Sequence, residues 1–422
     1  MERKSVKKIM AGALAACMVI SLGACTGGAK TSSSGSGSSG GTITISTYAP
    51  TDAMLQNMDK YYANPISKGT GFKVEYKIYA NRDSLIVEVA GGGGPDILDV
   101  DGPTDVVEFA KSGKATDLTQ YADQYKWKDL FMDWAYSACY YKGTLYSLPT
   151  CYEGMGIYYN TDVMKKHNWE IPQTLDELEA LFQKAKAAKL VSLAFGNSDY
   201  QGAVDWLYST MLSCYGGVDN LTAVLTGKDK FQDNKGTSGA MQKLVDWYKA
   251  GYIDNNSQSI TTNDMLTRFA NGDSPMMIDG TWASANLTTD YPSCNWKFGL
   301  MPTAVAGQSA IFPIAIGGSD VLSANSKNPA GAAKVLNYIY TSNKQNHYES
   351  IVKAGMQPYP VNWFDLSKLT GMDSKVKDLY TTLDTAMKGK HIGYCSWAFY
   401  PADCRTYMNE NVDSCFLGKL SV

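Results

Sequence analysis

YSLPTCYEGMGIYYNTDVMKKHNWEIPQTLDEL, residues 146–178, is the stretch of sequence from which the fold can be argued. Near its end, Thr174 is followed three residues later by Glu177, the pairing of a capping box that starts a helix. The apolar residues that follow recur at the spacing of one helix face: Leu178, Leu181, Phe182 and Ala185. The stretch therefore predicts a helix that begins at Thr174, runs to about Lys189 and packs one face on a core.

Strand-like and helix-like segments alternate on the amino-terminal side of this stretch. Residues 42–47 and 72–79 alternate apolar and polar side chains, as half-buried strands do, and a helical segment covers about 53–62 between them. A second helical segment at 82–90 leads into the apolar strand 97–100. This strand-helix-strand order predicts an α/β fold.

Four consecutive glycines, Gly91–Gly94, raise the alternative of a phosphate-binding loop. Such loops follow a strand, precede a helix and carry a lysine, whereas here a helix precedes the glycines and Pro95 and Asp96 follow them. The glycines are therefore interpreted as a helix end and a tight turn.

Several segments resemble bacterial extracellular solute-binding proteins of family 1, the maltose-binding-protein type that serves carbohydrate ABC transporters. The first is residues 146–178, in which the order and spacing of the pieces match the family. The other matching segments follow in the family's order: Gly94–Ile97 with Asp101, Phe269–Gly272, Met276–Trp282, Gly299–Pro302, Gly317–Gly318 and Asn328–Lys334. The resemblance covers roughly residues 41–353.

The resemblance implies an α/β, two-lobed periplasmic-binding-protein fold of type II, with the ligand cleft between the lobes and a three-segment hinge. Lobe 1 is expected to comprise residues 42–151 and 318–348, and lobe 2 residues 155–314 and 352–422. The hinge segments are expected near Cys151–Gly154, Phe312–Gly317 and Asn346–Lys353.

The function implied by the resemblance is that of the extracellular substrate-binding component of an ABC importer. Such a protein is not an enzyme: it binds a carbohydrate, here a di- or oligosaccharide, and delivers it to the permease subunits. The expected form is a monomer without cofactor, metal ion or nucleic acid. Relatives usually continue with a further helix after a stretch like Leu417–Lys419, whereas this sequence ends at Val422.

A sugar site needs aromatic rings to cover the apolar C–H faces and carboxylates or amides to accept hydrogen bonds from the hydroxyls. Glu153 lies four residues after Pro149, where relatives place a sugar-binding carboxylate, and Trp282 follows a strand and a glycine, as does their stacking tryptophan. Asp101 follows an apolar strand. Further candidates come from the end of the first strand and from aromatic-rich stretches: Tyr48, Trp206, Trp397 and Tyr400. The alternative role is core packing for the aromatic residues and a surface ion pair for Glu153.

Residues 1–24 have the layout of a lipoprotein signal peptide. Basic residues precede the apolar run Ile9–Leu22, which is 14 residues long. A membrane-spanning helix needs about 20 residues, so a permanent transmembrane anchor is disfavoured. Leu22–Cys25 matches the lipobox, which predicts cleavage before Cys25 and attachment of lipid to its thiol. Residues 25–41 then serve as lipid anchor and flexible Gly/Ser tether on the extracellular face of the cell membrane.

Cleavage before Cys25 leaves 34 basic and 40 acidic residues, a net charge of −6. Nucleic acid is therefore disfavoured as a partner. Arginine is scarce beyond the signal peptide, where only Arg82, Arg268 and Arg405 occur, and this disfavours phosphorylated ligands.

Seven cysteines remain of the nine when Cys17 leaves with the signal peptide and Cys25 carries lipid. They are expected to be mostly free and buried, and Cys395 with Cys404 is the one pair for which a disulfide is worth testing. The three histidines lie far apart and no complete acidic EF-type loop occurs, so no metal site is expected.

Other functional classes stay open on sequence alone. A surface glycoside hydrolase would use Glu153 and Asp101 as its two carboxylates, and turnover of oligosaccharides would reveal it. A different binding protein would take a polyamine, an iron chelate or a peptide. A serine-hydrolase pattern at Gly37–Gly41 lies in the predicted tether and lacks the strand-turn-helix setting that this chemistry requires. Only the family resemblance argues against a role as an adhesin or a sensor.

Overall fold

Residues 40–48, 52–200, 203–303 and 309–422 are described by a computed structural model of the chain. The predicted signal peptide, the predicted lipidation site Cys25 and the tether up to residue 39 lie outside the described residues. Among the residues that are described, no helix combines the length and the apolar composition needed to cross a membrane.

Most strands of the described residues belong to one mixed sheet. Their bounds are β1 Thr42–Tyr48, β2 Lys73–Tyr79, β3 Ile97–Val100, β4 Tyr140–Tyr141, β5 Thr144–Leu145, β6 Ser147–Asn160, β7 Met276–Gly280, β8 Trp296–Gly299, β9 Phe312–Leu322 and β10 Ile392–Tyr394.

Helices connect and cover these strands. Their bounds are α1 Asp52–Met58, α2 Asn64–Thr70, α3 Arg82–Ala90, α4 Gly102–Lys111, α5 Thr119–Tyr125, α6 Asp133–Ser137, α7 Thr161–His167, α8 Leu175–Ala187, α9 Val204–Cys214, α10 Val218–Leu225, α11 Lys235–Lys249, α12 Thr262–Asn271, α13 Ala283–Thr289, α14 Pro329–Thr341, α15 Lys344–Ala354, α16 Ser374–Lys388, α17 Ser396–Phe399 and α18 Ala402–Phe416.

The local signals in the sequence predict several of these elements correctly. The Thr174 hydroxyl accepts from the Glu177 backbone N–H, and the Glu177 carboxylate accepts from the Thr174 N–H, so the predicted capping box is confirmed. The glycine run after α3 forms the predicted turn, in which Gly92 and Gly94 have φ values of 90° and 100°.

The first helix is predicted at 53–62, and its predicted carboxyl-terminal end is wrong, because helical structure continues to Thr70. A π-helical turn at Asp59–Ala63 leads into α2, which holds Pro65 in its first turn. Proline lacks an N–H and is tolerated at that position, so it does not stop the helix. Gly71, with a φ of 80°, ends it instead.

The sheet has the strand order β2-β1-β3-β9-β6-β7, with β10 beside β9 and β8 beside β6. β1 is parallel to β2 and β3, whereas β9 is antiparallel to β3 and β6. β6 and β9 are 14 and 11 residues long and join the two ends of the sheet.

Apolar side chains form two large cores, one around each end of the sheet, which gives the molecule its two-lobed architecture. Each long strand contributes to both cores: on β6, Leu148 packs in the first core and Met155 in the second. On β9, Leu322 packs in the first core and Ile314 in the second. The predicted hinge segments on β6 and β9 therefore fall where these strands pass between the lobes.

The third connection between the lobes is formed by α15 and the residues that follow it. Ile351 packs in the second core, but Tyr359 and Val361 return to the first. The reason is aromatic packing, because the Tyr359 ring lies 3.4 Å from His347 and 5.1 Å from Tyr340, centroid to centroid. The expectation that residues 352–422 belong wholly to lobe 2 is thus wrong for this segment. The other expected lobe boundaries remain proposals.

Candidate binding cleft

A cavity of about 960 Å³ has walls from both lobes. Tyr48 is the last residue of β1 and Asp101 directly follows β3, so two parallel strands end at this edge of the sheet. Trp282 lies two residues beyond β7, and Trp397 lies three residues beyond β10. Residues that follow strand ends line the cavity, as is usual for α/β sheets.

Six of the seven candidate residues line this cavity: Tyr48, Asp101, Glu153, Trp206, Trp282 and Trp397. The seventh, Tyr400, lies outside the lining. Its side chain is buried in the second core, where its ring centroid is 6.3 Å from that of Tyr208. Because Tyr400 follows the last residue of the short helix α17, its side chain points in a different direction from that of Trp397.

Glu153 lies on β6 where the strand passes between the lobes, and its side chain is only 9% exposed. Its Oε1 accepts a hydrogen bond of 3.0 Å from Nε1 of Trp397. Gly317 on β9 makes room for this carboxyl group, because a Cβ at that position would be 2.4 Å from Cδ of Glu153. The glycine therefore lets the carboxylate lie at the floor of the cavity.

Aromatic rings form a continuous run along one wall. Ring centroids are separated by 6.1 Å between Tyr200 and Trp206, 5.4 Å between Trp206 and Trp282, and 6.1 Å between Trp282 and Trp397. Trp206 and Trp397 are almost fully buried, whereas Trp282 and Tyr200 keep exposed surface. The latter two offer an apolar face to a ligand.

The carboxyl-terminal part of the chain closes the back of the cavity against lobe 1. Oγ1 of Thr104 on α4 donates a 2.8 Å hydrogen bond to the backbone oxygen of Trp397. Gly102 has a φ of 70°, and a Cβ there would be 2.8 Å from the backbone oxygen of Ile316. Only glycine lets α4 approach these segments so closely.

Two ion pairs in the wall were not predicted from the sequence. Arg82 donates from Nε and Nη2 to the two oxygens of Asp105, both at 2.6 Å. Arg405 donates to Oδ2 of the fully buried Asp205 at 3.1 and 3.0 Å, and Ser396 donates to the same oxygen. The sequence did offer one clue to these ion pairs. Only three arginines occur beyond the signal peptide, and two of them lie here.

Burial changes the acidity of the carboxyl groups around the cavity. It raises the pKa of Glu153 to about 8, with a further contribution from the charge of Asp101. Burial and the charge of Asp105 raise the pKa of Asp101 to about 6, although Arg405 and Arg82 act in the opposite direction. Burial also raises the pKa of the nearby Asp279 to about 7. The floor of the cavity therefore disfavours uncompensated negative charge.

The cysteines of the described residues are all free, so Cys395 and Cys404 form no disulfide in this structure. Within the same ranges, no group of three or more His, Cys, Asp or Glu residues could hold a metal ion.

Residues 33–346 match the bacterial extracellular solute-binding protein family. The chain belongs to this family. A putative binding protein of Brucella abortus is 26% identical over 261 residues, which are 61% of each chain. The multiple sugar-binding protein of Streptococcus mutans is 23% identical over 299 residues, 66% of this chain and 67% of the relative. The match thus spans 61% of the length of the Brucella relative.

Solved structures of solute-binding proteins share the fold. A chitin oligosaccharide binding protein superimposes with a TM-score of 0.75 at 20% sequence identity, covering 90% of this chain and 95% of that one. An ABC transporter solute-binding protein from Thermotoga lettingae, bound with α-D-tagatose, gives a TM-score of 0.72 at 18% identity with the same coverage. The two-lobed fold expected for this solute-binding protein is therefore confirmed.

Proposed function

We propose that the chain is the extracellular substrate-binding component of an ABC importer, which binds a carbohydrate and delivers it to the membrane permease. The observation that carries the proposal is the presence, in one cavity, of tryptophan rings beside carboxyl groups. The exposed face of Trp282 suits the C–H face of a sugar ring, and Asp101 and Glu153 suit its hydroxyls.

The ligand is proposed to be a di- or oligosaccharide. The cavity of about 960 Å³ is at the upper end of the roughly 300–1,000 Å³ typical of ligand pockets. The aromatic run from Tyr200 to Trp397 offers two exposed rings, those of Tyr200 and Trp282, rather than one. The names of the sugar-binding relatives support the same ligand class.

Transport is proposed to depend on closure of the lobes. A ligand that contacts both lobes stabilises the closed state by its difference in affinity for the closed and open states, and the permease recognises closure. The moving bodies are residues 42–151 with 318–348, and residues 155–314 with 352–422 apart from the segment around Tyr359 and Val361. Micromolar affinity, about −8 kcal/mol, suffices for scavenging.

Lipidation of Cys25 is proposed to hold the protein, as a monomer, on the outer face of the cell membrane. Attached acyl chains such as palmitate would appear as added mass on the amino-terminal peptide of protein extracted from membranes. Cys25→Ala is expected to release the protein into the medium. If that variant stays in the membrane fraction and the peptide carries no acyl chain, the anchor assignment is wrong.

A thermal-shift screen tests the sugar-binding proposal. Residues 26–422 are mixed with mono-, di- and oligosaccharides, with polyamines and amino acids as controls. A ligand at 100 times its dissociation constant adds about 2.7 kcal/mol of stability, which moves the midpoint by a few degrees. A shift with one sugar series, lost in Trp282→Ala, supports the proposal. A shift only with a control ligand assigns the protein to another solute.

Oligosaccharides that bind are also incubated with the protein to test the glycoside-hydrolase alternative. A binding protein returns them intact. Release of shorter sugars in molar excess over the protein, abolished by Glu153→Gln, would replace the transport proposal with a hydrolytic one.

A further inference from the structure

The cavity has an unbalanced charge. Eight of its lining side chains are carboxylic acids, whereas its cations are Arg82 and Arg405, and the described lining residues include no lysine or histidine. Hydroxyl groups of a neutral sugar need hydrogen-bond acceptors but do not need so many negative charges. The excess of acidic groups therefore requires an explanation beyond sugar recognition in general.

Neither arginine balances this excess. Both Nε and Nη2 of Arg82 are occupied by Asp105, and Arg405 directs the same two atoms at Asp205. Asp205 has no exposed surface and Arg405 is 12% exposed at its side chain, so this second pair is an internal feature of the wall. Each guanidinium charge is thus compensated before any ligand enters.

Five lining carboxyl groups have no basic side chain within 4.0 Å among the described residues: Asp101, Glu153, Asp199, Asp403 and Glu410. The described ion pairs include none of these five, whereas Glu108 pairs with Lys111. Asp199 is used structurally, since it accepts hydrogen bonds from the backbone N–H and the hydroxyl of Thr262. Asp101 and Glu153 are the two that lie deepest in the site.

The side chain of Asp101 does not cap its own helix. It occupies the N-cap position of α4, where an aspartate normally accepts from a backbone N–H, yet its side chain makes no capping hydrogen bond. Glu153, which is nine-tenths buried, accepts only from Trp397 through Oε1. Both groups line the same part of the cavity: Gly102, next to Asp101, approaches the backbone oxygen of Ile316, and the adjacent Gly317 makes room for Glu153.

Charged carboxyl groups in this cavity without a paired cation are costly, because removal from water disfavours the charged form, most of all for the buried Glu153. A ligand cation placed between them would remove that cost. The face of a tryptophan also attracts cations, and Trp282, which keeps exposed surface, lines the same cavity. Carboxylates combined with tryptophan faces are the chemistry that recognises an ammonium group.

We propose that the ligand is an amino sugar, a carbohydrate with a protonated primary amine, whose ammonium group binds between Asp101 and Glu153. The inference rests on the proposed sugar-binding function. It identifies the class of sugar: the tryptophans cover the ring faces, and the two carboxylates select an amine over a hydroxyl.

Calorimetry with matched sugar pairs tests the inference on residues 26–422. Each pair differs by an amine in place of a hydroxyl: glucosamine and glucose, galactosamine and galactose, and deacetylated chito-oligosaccharides and cello-oligosaccharides of equal length. We expect the amino member of the binding pair to bind at least tenfold more tightly. We also expect its advantage to shrink as sodium chloride rises from 50 to 300 mM, because salt screens charge attraction.

Isosteric variants test which carboxyl groups cause the preference for the amino sugar. Asp101→Asn and Glu153→Gln should each reduce the affinity ratio of amino to neutral sugar about tenfold, whereas Asp246→Asn, which removes a carboxylate on α11 outside the cavity, should leave the ratio unchanged. Circular dichroism verifies that each variant is folded. The salt dependence of the unmodified protein provides a readout that needs no variant.

The outcomes separate this inference from the function on which it rests. A neutral sugar that binds as tightly as its amino counterpart overturns the amino-sugar inference and leaves sugar binding intact. Binding of spermidine but of no sugar overturns both. An amino-sugar advantage that is independent of salt and survives in both cavity variants overturns the proposed placement of the ammonium group.

Discussion

Asp99 on β3 lies directly opposite Asp320 on β9 in the antiparallel register of the sheet. Both carboxyl groups are held above their usual pKa, Asp320 at about 7, mainly because of burial, and Asp320 adds its charge to the effect on Asp99. The Tyr340 hydroxyl donates to Oδ2 of Asp320 at 2.7 Å. The pair therefore retains protons in the folded state that an unfolded chain would release near pH 4.

The unliganded protein is expected to lose stability as pH rises. The folded state binds more protons than the unfolded state, so the contribution of Asp320 is complete below about pH 4 and is lost as pH rises through about 7. Asp320→Asn should make the thermal midpoint depend less on pH between 5 and 8. Glu153 and Asp279 act in the same direction, so some dependence should remain.

Thermal midpoints at pH 5, 6, 7 and 8 check this prediction, and Asp246→Asn, on the exposed face of α11, is the control that should leave the slope unchanged. A midpoint that rises steadily from pH 5 to pH 8 would contradict the expected direction.

Trp397→Phe is expected to weaken sugar binding about tenfold, since it removes the indole N–H that Glu153 accepts while keeping an aromatic ring. The pKa of Glu153 should also rise, because that hydrogen bond lowers it. Calorimetry with the sugar that gives the largest thermal shift measures the affinity. Trp127→Phe is the matched control: it removes an indole N–H that donates to Asn337 in the first core, and it should change stability but not affinity.

Trp282→Ala is expected to reduce sugar affinity about 10- to 100-fold, or about 1.4 to 2.8 kcal/mol, because Trp282 offers the exposed ring face in the aromatic wall. Trp169→Ala removes a ring that stacks on His167 outside the cavity and serves as the control. Equal affinities for the two variants would show that the aromatic wall does not contact the ligand.

Gly317→Ala is expected to destabilise the protein by about 1–3 kcal/mol and to abolish most sugar binding. The added Cβ would be 2.4 Å from Cδ of Glu153 and 2.8 Å from Sγ of Cys151, so the carboxyl group has to move. Gly239→Ala on α11 is the control, because its Cβ would meet no atom closer than 3.9 Å. That variant should be neutral or slightly more stable. Unchanged binding in Gly317→Ala would refute the assigned position of Glu153.

Arg405→Met is expected to cost about 3–5 kcal/mol of unfolding free energy, since it leaves the fully buried Asp205 without its cation. Lys388→Met breaks the exposed pair with Asp384 and should cost less than about 1 kcal/mol. Urea unfolding of both variants at pH 7 measures the difference. Similar losses would mean that the buried pair contributes no more than a surface pair.

Sequence alone determined the α/β class, the helix start at Thr174 and the turn after α3, because capping side chains and glycine act within a few residues. The family resemblance pointed to Glu153 and Trp282 as cleft residues, because relatives have a carboxylate at this spacing after the proline and a tryptophan after this strand and glycine. The same resemblance predicted the two lobes. None of this required contacts between distant parts of the chain.

Only the tertiary structure decided which distant side chains meet. Trp397 reaches Glu153 across 244 residues of sequence and Arg405 reaches Asp205 across 200, contacts that depend on how α17 and α18 pack on lobe 1 and α9. The same packing places Trp397 in the cavity wall and Tyr400, three residues later, in the core. Side-chain direction on a short helix and the return of Tyr359 to the first core are set by packing, which no local pattern encodes.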